Sequence, residues 1–236
     1  MEKKQSDLCL EMLRRFHKAG VLDEVILIGS WCVYFYKDYF SGIPYIDQTT
    51  IKTRDIDFLI DVPSKIKRRV NIPELLKDLG FVTIYRGNKG FIKLDHPDLI
   101  VEFLVPEKGK GTDKPVPLPQ LGLNAVALRF LTFLSSNTIK VRVEDFYVIL
   151  PHPANFALHK LIIFQRRIKE DKAIKDRNTA VEILKALIIK GDAAVVRKVF
   201  DAIPQKWQKK IMKGLEEAKE PAILDTLALM VGPRHA

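Results

Sequence analysis

Cysteine is nearly absent: Cys9 and Cys32 are the only two in 236 residues, far apart and at no metal-ligand spacing. A disulfide framework and a cysteine-based zinc site are thereby excluded, and a reducing compartment is expected. Long apolar runs are missing too. No stretch approaches the ~18 uncharged apolar residues of a membrane span, and Glu11, Arg14 and Arg15 break up the N-terminal hydrophobic residues that a signal core would need. The expectation is a soluble, cytoplasmic protein that does not engage a membrane. His17, His96, His152 and His235 form no ligand pattern. Internal repeats and low-complexity tracts are absent as well.

What is present is an ordinary globular balance, 47% hydrophobic and 29% charged, in a chain long enough to bury a core without staples. The net charge is +10 and unevenly spread. Residues 151–236 carry 17 Lys and Arg against 10 Asp and Glu, so +7 of the total lies there. Such a segment suits a polyanion, RNA or nucleotide phosphate, or else is a solvated lysine-rich surface.

Leu8, Met12, Leu13 and Phe16 recur at helical spacing, which predicts a helix over 7–19 ended by Gly20. Val25–Ile28 reads as a buried strand stopped by Gly29-Ser30, with an aromatic-rich helix over 31–40. Residues 41–53 are turn-prone. Further strands are expected at 56–61, near 81–86 and 91–94, at 99–105 and within 124–150, with a helix at 73–79 and a loop over 106–120. After Pro151-His152-Pro153 the pattern is helical, with breaks at Gly191, Pro204 and Pro221. This predicts an α+β chain: a mixed-sheet domain over 1–150 and a helical C-terminal domain over 151–236.

Three features carry chemistry. Gly29-Ser30 between strand and helix makes a phosphate-binding turn: glycine lets the backbone approach a ligand, and the first helix amides and the Ser30 hydroxyl donate. Asp55 and Asp57, at i and i+2 of a strand, project from one face, and a divalent cation between them relieves their repulsion. Magnesium prefers such hard oxygen ligands and fills its shell with waters and substrate phosphates. Glu102 is the only charge in the apolar run 99–105, which is costly unless the carboxylate is paired or metal-bound. Each feature alone also has a plainer reading: a common turn, two solvated acids, one wet point on a strand.

In this order the three resemble the nucleotidyltransferase superfamily with the DNA polymerase beta-like fold. The pattern reads Leu27-Ile28-Gly29-Ser30, then Asp55-Ile56-Asp57, then Val101-Glu102-Phe103, and it covers about residues 20–105. Pro153–Leu161, Arg166-Arg167 and Lys175-Asp176 resemble the helical half of a bacterial branch that includes abortive-infection and toxin–antitoxin members. Two departures stand out. The stretch between Ser30 and Asp55 is longer than in the smallest members, so that the insertion 41–53 is expected to shape a substrate pocket. The third acid is Glu where Asp is commoner.

The resemblance implies magnesium-dependent transfer of a nucleotidyl group from a nucleoside triphosphate, ATP among them, to an acceptor hydroxyl. Asp55, Asp57 and Glu102 would be the catalytic and metal-binding carboxylates, with Glu102 completing a second metal position. Gly29, Ser30, Arg54, Lys160 and Arg167 would bind the nucleotide. Lys160 lies on one helix face with Phe156, Phe164 and Arg167, so it either meets the triphosphate or snorkels to solvent. Asp176 is expected to bind nearby or to pair with Lys172. RNA, tRNA included, or a protein is the favoured acceptor. A small-molecule acceptor, or a non-catalytic nucleotide- or RNA-binding module, is the alternative.

Overall fold

A computed structural model of the chain describes residues 3–45, 53–111 and 113–228. Much of the expected pocket-shaping insertion, residues 46–52, lies outside the described residues. Among the described residues, 3–36 and 53–151 form one compact unit, and 37–45 and 152–228 form another.

In the first unit α1 (Lys3–Lys18) leads through β1 (Ile26–Ile28) to α2 (Trp31–Phe35), and β2 (Asp55–Leu59) follows. Next come α3 (Ile72–Leu76), β3 (Val82–Arg86), β4 (Phe91–Asp95) and β5 (Ile100–Pro106). Asn71 caps α3, its side chain accepting from the Glu74 amide at 3.2 Å. Then follow β6 (Val116–Leu118), β7 (Leu123–Leu128), α4 (Leu131–Ser135), and the β8 (Thr138–Val143) and β9 (Phe146–Pro151) hairpin.

The sheet is mixed, in the order β1-β2-β5-β4-β3, with β7 on the far end of β5 and β6 on β7. β2 and β5 run parallel at its centre; β1 and β4 flank them antiparallel. β5 reads as a nearly continuous apolar run because both of its faces are covered. On one face Phe16 of α1 meets Phe58 and Phe103, with ring centroids 5.3 and 6.4 Å away, and those two stack on each other at 5.6 Å. On the other, Ile28, Leu59 and Leu104 pack with Leu131 and Leu134 of α4. Alternation along β2 puts Asp55 and Asp57 on this second face.

Three expectations change. The helix expected over 31–40 ends at Phe35, because the chain leaves the first unit after Tyr36. The loop expected over 106–120 contains β6, whose Pro117 is tolerated because the strand is at the sheet's edge. The strand region 124–150 is interrupted by α4, whose Leu131 and Leu134, one turn apart, cover the sheet.

The second unit comprises α5 (Pro153–Ile163), α6 (Glu170–Ile189), α7 (Ala193–Asp201), α8 (Gln205–Glu217) and α9 (Pro221–Ala228). Every residue of α5 from Pro153 to Ile162 is buried, as expected of a central helix that is apolar nearly all round. Residues 37–45 join this unit through Tyr39. Its hydroxyl donates to Asp192 at 3.0 Å, and the Lys190 ammonium sits 4.6 Å above its ring. Among the described residues no helix is long and apolar enough to cross a membrane.

Candidate active site

The strand register aligns the acids. Ile28 of β1 faces Asp57, Asp57 faces Glu102 of β5, Leu94 faces Val101 so that Lys93 comes opposite Glu102, and Ile84 faces Lys93. One row across five strands therefore reads Ile28, Asp57, Glu102, Lys93, Ile84, with neighbours about 4.8 Å apart. Asp55 lies two residues before Asp57 on the same face, opposite Ile100. The entry to β2 is pinned by Gln5 of α1, whose amide donates to the Thr53 carbonyl at 2.8 Å and the Asp98 carbonyl at 3.0 Å.

Gly29 follows β1 with φ at +76°. A Cβ there would lie 2.6 Å from Oδ2 of Asp57. Glycine is thus needed twice, for the left-handed backbone and for the room beside the carboxylate. Ser30 precedes α2, and its side chain caps no amide of that helix. α2 is little more than one turn, so its dipole adds less anion binding than the expected longer helix.

Glu102 is ion-paired with Lys93, their side chains only 18% and 12% exposed. Sequence reasoning missed this partner; the only signal was a Lys between apolar residues in Phe91-Ile92-Lys93-Leu94. Arg54 hydrogen-bonds the His96 carbonyl at 2.5 Å and Asp95 at 3.4 Å. Among the described residues, no three His, Cys, Asp or Glu side chains gather closely enough to hold a metal ion. Two carboxylates on one face, with Asp57 drawn up against the bare Cα of Gly29, nevertheless suit magnesium, which commonly takes one or two protein carboxylates and leaves the rest of its shell to substrate phosphates and water.

The helical unit holds the other residues singled out from sequence. Lys160, 6% exposed, neither reaches solvent nor stands alone: its ammonium donates to Asp176 at 2.5 Å and lies 5.1 Å from the Phe156 ring. Arg167 donates to the other Asp176 oxygen at 2.8 Å. Asp176 therefore pairs with these two and not with Lys172. Burial pushes its carboxyl up, but Lys160 and Arg167 outweigh burial and hold it below the usual range. Next to Lys160, burial with help from the Lys160 charge pushes His159 down to about 3, and its buried Nε2 has no hydrogen-bond partner among the described residues.

His159 makes stability depend on pH. Its folded pKa is depressed below the ~6.5 of an unfolded chain, so its contribution is complete above that value. It is lost as pH falls toward about 3, because only the unfolded state takes up the proton. His159→Leu is expected to flatten the fall in unfolding free energy, read from urea titrations between pH 6.5 and 4, by up to about 1.4 kcal/mol per pH unit. An unchanged slope would show that another group sets it.

The sequence matches the family model described as "Nucleotidyltransferase" over residues 8–197, and the chain belongs to that family. No curated protein matches it. Among solved structures it is similar to an antigenic nucleotidyltransferase-like protein from Paracoccidioides brasiliensis, with 14% identity, 94% of this chain and 91% of that one covered, and a TM-score of 0.48. It is also similar to the antibiotic-resistance factor ANT(2'')-Ia in a solution structure, with 14% identity, 86% and 96% covered, and a TM-score of 0.47. The crystal structure of ANT(2'')-Ia in complex with adenylyl-2''-tobramycin gives 13% identity, 83% and 98% covered, and a TM-score of 0.46.

Proposed function

We propose that this chain transfers a nucleotidyl group from a nucleoside triphosphate, ATP being the first to test, to an acceptor hydroxyl of RNA, with release of pyrophosphate. The observation that carries the reading is the row that sets Asp57 beside Glu102, with the bare Cα of Gly29 facing the Asp57 carboxylate. Asp55 and Asp57 would hold magnesium, which when bound neutralises triphosphate charge and polarises the reacting phosphoryl group. Ser30 donates its hydroxyl to the outer phosphates. Glu102 is the remaining carboxylate at hand to take the hydroxyl's proton. Such transfer is mostly positioning and charge neutralisation, so it needs no nucleophilic side chain.

On the helical unit Arg167 is the proposed phosphate ligand, since its side chain is 42% exposed while its Nε stays anchored on Asp176. Lys160 holds Asp176 from the buried side and acts through it. Arg54 is proposed as a secondary cation, because Asp95 and His96 already engage it. The +7 charge of residues 151–236 supports RNA as acceptor, and the toxin-like branch makes tRNA the first substrate to try. The buried thiols of Cys9 and Cys32 fit the proposed cytoplasmic setting.

The test incubates the purified chain with magnesium and each labelled nucleoside triphosphate, with and without total tRNA, beside an Asp55→Ala/Asp57→Ala variant. Label on RNA that the variant fails to add supports the reading. Label on protein alone moves the acceptor to a polypeptide. Nucleotide binding that neither needs magnesium nor suffers in the variant, without transfer, overturns catalysis and leaves a binding module. Gly29→Ala should lower transfer by about 10²-fold through a displaced Asp57, yet cost only about 1–2 kcal/mol of stability, as read from a urea titration. Equal losses in stability and rate would show that Gly29 serves the turn alone.

A further inference from the structure

α8 is charged against its own interest. Ile211, Gly214 and Leu215 are its buried side, and Lys206, Lys209, Lys210 and Lys213 follow one another along the rest, the first, second and last of them exposed. Among the described residues only Lys213 of these four is ion-paired, with Glu217 at a loose 3.8 Å. Lysines three and four apart on a helix repel one another. They also begin in the first turn, while Glu216 and Glu217 stand in the last, so both ends oppose the helix dipole. A helix arranged for its own stability would carry these charges the other way round. Local rules broken without a local gain are expected where a surface serves a partner.

The turn between α5 and α6 is fastened to the same helix. The Gln165 side-chain amide donates to the Lys210 carbonyl at 2.7 Å. The Phe164 ring closes on Gly214, where a Cβ would come within 2.7 Å of it. Arg167 and the exposed Lys169 follow within a few residues of these contacts. The surface is thus rich in cations and, with the apolar residues of α8 turned inward, offers little beyond lysine stems for an apolar anchor. Protein partners depend on such anchors, whereas a row of phosphates needs only the charges. Lys206 to Lys213 covers about 10 Å of helix, the axial length of about three phosphates on one strand of a duplex.

We infer that α8 is the docking surface for the phosphate backbone of an RNA, with Lys206, Lys209, Lys210 and Lys213 as its contacts. The inference rests on the RNA reading proposed above, and it gives the acceptor its grip on the helical unit.

Retention of labelled total tRNA by the full chain on filters, without nucleotide or magnesium and across a salt titration, tests it. Lys206→Gln/Lys209→Gln/Lys213→Gln should bind about 10- to 100-fold more weakly at ~0.1 M salt, and the slope of log affinity against log salt should shrink by about 2 to 3. Glutamine is a good helix former and the substitutions relieve repulsion, so the thermal midpoint should not fall. Lys206→Arg/Lys209→Arg/Lys213→Arg should keep wild-type affinity and slope. Lys65→Gln/Lys67→Gln/Arg68→Gln takes the same three charges from an exposed loop of the sheet unit and should change affinity by no more than about 3-fold, since screening confines each charge to about 8–10 Å. Equal losses in the two glutamine triples would show that net charge alone attracts RNA, and would overturn the inference. So would wild-type binding by the α8 triple, or no tRNA binding by the wild type. Polyglutamate that displaces tRNA at equal charge concentration would overturn RNA as the partner and point to an acidic protein. Label transferred to RNA at wild-type rates by the α8 triple would overturn the surface and leave the transferase reading standing. Binding that is lost in the α8 triple, from a wild type that transfers no label, would overturn RNA transfer and leave the surface.

Discussion

Asp57→Asn is expected to reduce nucleotidyl transfer by on the order of 10²–10³-fold, the scale seen when one preorganised electrostatic group is removed from a transition state. Asp57 stands between Ile28 and Glu102 in the row and faces Gly29. Glu102 cannot take over its charge, because Lys93 already neutralises it. Only Asp55 would remain for the cation. The substitution keeps the side chain's shape, so the loss should fall on the rate and on the magnesium concentration needed, not on the fold. Initial rates with a labelled nucleotide across a magnesium titration measure this; wild-type rates in the variant would remove Asp57 from the chemistry.

Asp176→Ala is expected to destabilise the helical unit by about 3–5 kcal/mol, because it leaves the Lys160 ammonium buried without its partner. For a chain of this size that lowers Tm by roughly 10 °C. Lys160 is 6% exposed and lies among α5 residues that are all buried, so water cannot replace the carboxylate. Lys160→Met/Asp176→Leu should recover most of the loss, since apolar groups of similar volume carry no desolvation cost. Arg167→Ala should cost less, its side chain being 42% exposed. Thermal unfolding followed by far-UV circular dichroism checks the series; an Asp176→Ala Tm within a degree or two of wild type would mean that Lys160 finds another anion or reaches solvent.

The alternating residues of Asp55–Leu59 and the isolated Glu102 were readable as strands with acids on one face, since period-two patterning dictates which side chains share a side. The change to helix after Pro151 was equally plain from spacing. What the sequence hid depends on contacts distant along the chain. Lys93 meets Glu102 only once β4 and β5 adopt their register. Asp176 meets Lys160 sixteen residues away, whereas helical spacing pointed to Lys172. α2 ends early because Tyr39 belongs with Asp192, 153 residues further on, and no local propensity encodes such a pairing.

That Tyr39–Asp192 bond has a consequence for the order in which the protein is made. The first unit has all its strands once Pro151 is synthesised, and domains fold as the chain emerges. Residues 37–45, which carry Tyr39, Phe40 and Tyr45, by then have been waiting for helices not yet translated. The helical unit is a discontinuous one, opened early and closed late. A gene cut after codon 151 would not yield two self-sufficient halves: the front piece would carry an aromatic segment cut off from the helical unit it belongs to, and the back piece would leave Asp192 without its phenol. Supplying residues 37–45 as part of the helical fragment, by a circular permutation or a fused linker, is the way to isolate that unit whole.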